Sequence, residues 1–175
     1  MNSKNILLLG LVILLGFFLW GYKRNVGTDK TPALVGNSHP ALAAVSEIPR
    51  LSASEMFYDF GTISMKKGEV QKEFVISNSS DKEIKLKTIL TSCMCTKAYL
   101  LRPDGKNKGP FGMPGMGYIP PADELIETGS SRIVRVVYDP NAHGPAGVGQ
   151  IERTVMLTDS NGGNIRLGIK ALVTP

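Results

Sequence analysis

From residue 51 to the C-terminus, hydrophobic and polar residues alternate in short runs separated by turn-forming residues. Val70, Phe74 and Ile76 fall on one side of an extended chain, with Glu69, Gln71 and Glu73 on the other. Side chains of a strand point to opposite faces in turn, so this spacing predicts a half-buried β-strand. Ile84, Leu86 and Leu90 repeat the pattern against Lys85 and Lys87, and Ile151, Val155 and Leu157 repeat it against Glu152 and Thr154. The last run sets Ile165, Leu167, Ile169, Ala171 and Val173 against Asn164, Arg166 and Lys170. The aromatic-rich stretch 56–61 and the stretch 98–101 read as two further strands. Val134, Val136 and Tyr138 alternate with Ile133, Arg135 and Val137, which is apolar on both sides and predicts a central or well-covered strand. Asn78-Ser79-Ser80-Asp81 reads as a turn, and Asn161-Gly162-Gly163-Asn164 as a tight hairpin. About seven strands without a convincing amphipathic helix predict an all-β, immunoglobulin-like β-sandwich over 51–175, preceded by one N-terminal transmembrane helix.

That helix is read from the uncharged run Ile6 to Tyr22, at the short end of what spans a bilayer. Ile6, Leu14 and Phe17 lie in its apolar body, and Trp20 and Tyr22 stand where interfacial aromatics belong, just before Lys23 and Arg24. The position where a signal peptide needs small residues reads Trp-Gly-Tyr-Lys-Arg, which favours an uncleaved anchor over 1–24. Residues 25–50, with His39, lack periodicity and read as a flexible linker. Lys23, Arg24 and Lys30 outnumber Lys4, so charge counting alone would keep the C-terminal domain in the cytoplasm.

Composition narrows the function classes. The net charge is +5 in 175 residues, but Lys and Arg are scattered. A nucleic-acid surface needs them gathered in a stripe, so no nucleic-acid partner is expected. Neither a Gly-x-Ser-x-Gly elbow, nor a His-Glu-x-x-His pair, nor a phosphate loop occurs, so no catalytic activity is expected.

The chemistry that remains lies in Thr91-Ser92-Cys93-Met94-Cys95-Thr96, which holds both cysteines. Three readings stay open. The first is a disulfide, although in an extended strand the two Cα atoms would stand about 6.6–7 Å apart, at the outer limit for a bridge. The second is a soft metal site, because residues i and i+2 of a strand point the same way and thiolates select Cu(I). Met113 and Met116 would complete a Cys2Met or Cys2Met2 set. The third is a buried thiol pair. His143, in a Gly/Pro turn, leaves open a Cys–His dyad or a further ligand. A Pro/Gly-rich segment, 102–131, is too long for an ordinary connection. Its Phe111, Met113, Met116, Tyr118 and Ile119 read as a partner-binding loop.

Tyr58-Asp59-Phe60-Gly61-Thr62-Ile63, Lys67-Gly68-Glu69, Glu73 to Asn78 and the Thr91 to Thr96 motif together resemble the DUF1573 family, over about residues 53 to 174. The run Gly129 to Tyr138 looks like that family's later Pro-Gly-Glu…Val-Tyr strand. Two departures are Met94, where the family usually has Gly between the cysteines, and the longer segment after them. The resemblance implies an exported bacterial domain, immunoglobulin-like and similar to ASH and Hydin-type modules, with no established reaction. It is the reason to expect the domain on the periplasmic side of the bacterial inner membrane. The expected role is a single-pass accessory module of a membrane or cell-envelope complex, without cofactor. The alternative is a copper-binding or thiol-redox protein using Cys93, Cys95 and the loop methionines.

Overall fold

The computed structural model describes residues 51–175. The anchor expected at Ile6, Leu14, Phe17, Trp20 and Tyr22, and the linker after it, lie outside the described residues. Ten strands follow: β1 (Leu51–Ala53), β2 (Phe57–Ser64), β3 (Val70–Asn78), β4 (Ile84–Thr91), β5 (Thr96–Leu101), β6 (Asn107–Phe111), β7 (Glu124–Ile126), β8 (Ser131–Tyr138), β9 (Gly149–Asp159) and β10 (Asn164–Thr174). They form two five-stranded sheets, ordered β1-β3-β8-β5-β6 and β2-β10-β9-β4-β7. All pairs are antiparallel except β2 with β10. Among the described residues the helices are two single 3-10 turns, and none is long and apolar enough to cross a membrane.

The all-β, two-sheet expectation holds, and the count of seven is corrected to ten. The three additional strands, β1, β6 and β7, are only three to five residues long and each closes a sheet edge. An edge strand needs hydrogen bonds on one side only, so it can be short and can carry Pro and Gly. Segment 102–131 is therefore not one loop. It supplies β6 to one sheet and β7 to the other.

Phe74, Ile76, Val134, Val136, Tyr138, Leu157, Leu167 and Ile169 meet in the core between the sheets. The two-sided run 131–138 is the middle strand of its sheet, as its pattern predicts. In β4 the register shifts between Leu86 and Thr88. The irregularity changes which alternate positions face inward, so Ile89 is fully buried and Leu90 only half-buried, against the expectation for Leu90. The hairpin at 161–164 forms, with Gly162 at φ +82°, where a side chain would be strained. Gly168 in β10 leaves room for the Phe57 ring, since a Cβ there would stand 2.8 Å from it.

Segment 102–131 is fastened by a buried ion cluster. Glu124, 3% exposed, takes Arg132 at 2.8 Å, Lys108 at 2.9 Å and Arg102 at 3.3 Å. Burial works to raise its carboxyl pKa, but the Arg132 and Lys108 hydrogen bonds and nearby positive charges outweigh it and hold the carboxyl below its ordinary value. Lys108 Nζ also donates to the carbonyls of Ala122 and Asp123.

Candidate functional site

The cysteines sit where the chain passes from one sheet to the other, between β4 and β5. The backbone there turns, with Thr96 N donating to the Cys93 carbonyl at 3.1 Å. The turn brings the Cα atoms of Cys93 and Cys95 to 5.3 Å, and the two residues form a disulfide. An extended 93–95 is thus corrected. The shortening comes from the turn, and no glycine is needed between the cysteines to make it.

Three elements hold the turn. Ser92 N donates to the Thr154 carbonyl at 2.9 Å, and Thr154 N donates back to Ser92 Oγ at 2.9 Å, which ties the turn to β9. Asp139 N donates to the Cys95 carbonyl at 2.9 Å, which ties it to the β8–β9 connection. Thr91 N donates to the Gly112 carbonyl at 3.0 Å, which ties it to the chain leaving β6.

The two sulfurs have different surroundings. Cys93 is half-buried, and His143 Nε2 lies 3.1 Å from its Sγ. His143 is exposed and stands on the β8–β9 connection, immediately before a 3-10 turn at Gly144–Gly147. Cys95 is buried, and Arg153 Nε donates to its Sγ at 3.2 Å. Arg153 projects from β9 and is anchored by its Nη1 to the Glu152 carbonyl at 2.8 Å. Its charge also reaches Tyr138, buried at the end of β8. Burial pushes that phenol above its ordinary pKa, with Asp139 adding and Arg153 opposing.

Pattern reading passed over Arg153, although it left a trace. The residue shares parity with the inward-facing Ile151, Val155 and Leu157, so it is a charge in an otherwise buried row. His143 is readable in the sequence as a candidate partner of either cysteine, without a choice between them. Its pairing with Cys93, 50 positions away, comes from two connections meeting at one end of the sandwich.

The methionines lie beside the disulfide and do not line it. Met94, Met113, Met116, Phe111, Tyr118 and Ile119 line a groove of about 280 Å³ that includes neither cysteine. Of the expected partner-binding residues, Met116 and Tyr118 are exposed, while Met113 and Ile119 are half-buried. Phe111 is a correction: it is fully buried in the core, because it ends β6 facing inward.

The family model for DUF1573, a family of unknown function, matches residues 51–104, from β1 through β5 and across the cysteine turn. Over this stretch the chain is similar to the DUF1573 family. No curated protein is significantly similar to the chain. Among solved structures, a protein of unknown function from Porphyromonas gingivalis W83 superposes with a TM-score of 0.52 at 17% identity, over 76% of this chain and 50% of that one. The secreted serine protease VesC from Vibrio cholerae gives 0.45 at 13%, over 74% and 25%. The chain thus spans half the length of the first protein and a quarter of the second. At such identities the first likeness speaks for the fold alone.

Proposed function

We propose that the DUF1573 domain is a thiol–disulfide exchange module, held on the outer face of a bacterial inner membrane by the run Ile6 to Tyr22 and serving a cell-envelope partner. The immunoglobulin-like sandwich is the carrier, and the Cys93–Cys95 turn is the working part. One observation carries the reading: the two sulfurs of one disulfide have opposite environments, Cys93 half-exposed beside an imidazole and Cys95 buried against a guanidinium. A structural bridge gains nothing from that asymmetry, whereas exchange uses it.

The chemistry balances with a dithiol as co-reactant. A substrate thiol gives its proton to His143 and its thiolate attacks Cys93 Sγ. The Cys93–Cys95 bond breaks, and its electron pair leaves on Cys95, where the Arg153 N–H meets the new negative charge. The substrate's second thiol gives its proton to Cys95 and attacks the substrate sulfur of the mixed disulfide; Cys93 leaves with that bond's electron pair and takes the proton held by His143. The substrate has lost two electrons and two protons, and the module has become a dithiol. The reverse sequence reduces a substrate disulfide. The groove beside Met94 gives the partner a place to rest, which keeps the accessory role read from the sequence, now with a transferable disulfide in it.

The test uses single-cysteine variants of the full chain. Cys95→Ser leaves the accessible sulfur without its resolving partner and should accumulate a mixed disulfide with glutathione disulfide, read by intact mass. Cys93→Ser, with the buried sulfur remaining, should react at least about tenfold more slowly, as access governs such exchange. Equal reaction of the two variants, or none from either until unfolding, overturns the proposal.

A further inference from the structure

The exchange reading makes a dithiol state part of the working cycle, and in that state the same atoms can do something else. Cys93 Sγ, Cys95 Sγ and a His143 ring nitrogen lie within 4.8 Å of one another. Sulfur and imidazole donors sit roughly 2.0–2.3 Å from a bound ion, so donors sharing one ion stand at most about 4.6 Å apart. The three atoms come from two connections, and both are pinned: the cysteine turn through Ser92 and Thr154, and the 139–148 connection through Asp139 and Cys95. Among the described residues no other His, Cys, Asp or Glu joins the group.

We infer that the reduced domain binds one monovalent soft metal ion, of which Cu(I) is the biological example, through Cys93, Cys95 and His143. Two arguments select this ion. The donors are two thiolates and one imidazole, which suit Cu(I), whereas a structural zinc site wants a fourth protein ligand. The charge balance points the same way. Two thiolates and one monovalent cation leave a single negative charge, which the Arg153 guanidinium beside Cys95 offsets. A divalent ion would make the centre neutral and forgo that attraction. His143, rather than Met113 or Met116, is the third ligand, since the methionines line the neighbouring groove.

This inference rests on the exchange reading, because only a reducible pair can present two thiolates. The experiment separates them. The full chain, reduced with a phosphine and freed of oxygen, is titrated with Cu(I) in the presence of a chromogenic Cu(I) chelator. One equivalent should be withheld from the chelator. His143→Ala should weaken retention by at least about tenfold, the lower end of what even an outer-sphere partner contributes, while Met113→Ala and Met116→Ala should match the parent. X-ray absorption should show two sulfurs and one nitrogen at the metal. No retained equivalent, retention untouched by His143→Ala, or retention lost in a methionine variant overturns the metal site. Exchange with glutathione is measured on the same sample, so exchange without copper retention removes this inference alone, and copper retention without exchange removes the exchange reading.

Discussion

Arg153 offers the sharpest test of how the site divides labour between its two sulfurs. Its Nε stands 3.2 Å from Cys95 Sγ. In the disulfide that sulfur is neutral and the contact contributes little. In the dithiol state, once Cys95 is a thiolate, the contact becomes a charge-assisted hydrogen bond. Such bonds contribute about 1.5–3 kcal/mol net, and the half-exposed position of Arg153 argues for the lower end. Arg153→Met keeps most of the side-chain volume and removes the charge. The reduced state then loses about 1.5 kcal/mol relative to the disulfide. For a two-electron couple, 30 mV corresponds to about 1.4 kcal/mol, so the midpoint potential should fall by about 30 mV. The measurement is equilibration in glutathione redox buffers, acid quenching, alkylation and counting of thiols by mass. The gap between variant and parent should close in acid, where the thiol stays protonated in both. A midpoint unchanged within about 10 mV, or one displaced upward, would refute the assignment of Arg153 to the Cys95 thiolate.

Other expectations concern what holds segment 102–131. Glu124→Gln removes the charge that three cations share and leaves the buried Arg132 with only the exposed Glu127 carboxylate, at 3.2 Å, so unfolding in urea should show a loss of about 1.5–3 kcal/mol, that of a charge-assisted hydrogen bond. Because the folded Glu124 carboxyl lies below its ordinary value, its contribution is present above the unfolded carboxyl pKa, about 4.3, and is lost as pH falls through the folded value. Acid titration of stability should therefore be flatter in the variant than in the parent over that range. Phe111→Ala should cost about 3–5 kcal/mol as a core truncation, whereas Tyr118→Ser, at 86% exposure, should stay within about 0.5 kcal/mol. Equal losses from those two would return Phe111 to the surface loop that the sequence suggests.

The long strands were readable because each buries one face and alternation records which one. Val134, Val136 and Tyr138, or Ile165 through Val173, have no choice of side once one of them is inward. The edges were not readable for the same reason in reverse. β1, β6 and β7 contribute too few inward residues for a period to show, and β6 carries Gly109 and Pro110 within its five residues. The irregularity at Leu86–Thr88 hid Ile89, because a pattern search assumes an unbroken register and the β4–β9 pairing breaks it.

The cysteine site was half legible, and the missing half explains itself physically. Two cysteines two apart announce themselves in any sequence, but which chemistry they perform depends on groups that alternation cannot bring together. His143 and Arg153 reach the sulfurs only because two of the sheet-to-sheet crossings, β4 to β5 and β8 to β9, end at the same rim of the sandwich. Arg153 left one mark, a charge in a row of buried aliphatic residues. A cation at such a position needs a partner that can accept it, and the polarisable sulfur of Cys95 is the partner provided. A charge that breaks an inward row, in a sandwich with a cysteine pair at a strand end, is therefore a reason to look for the thiolate it would face.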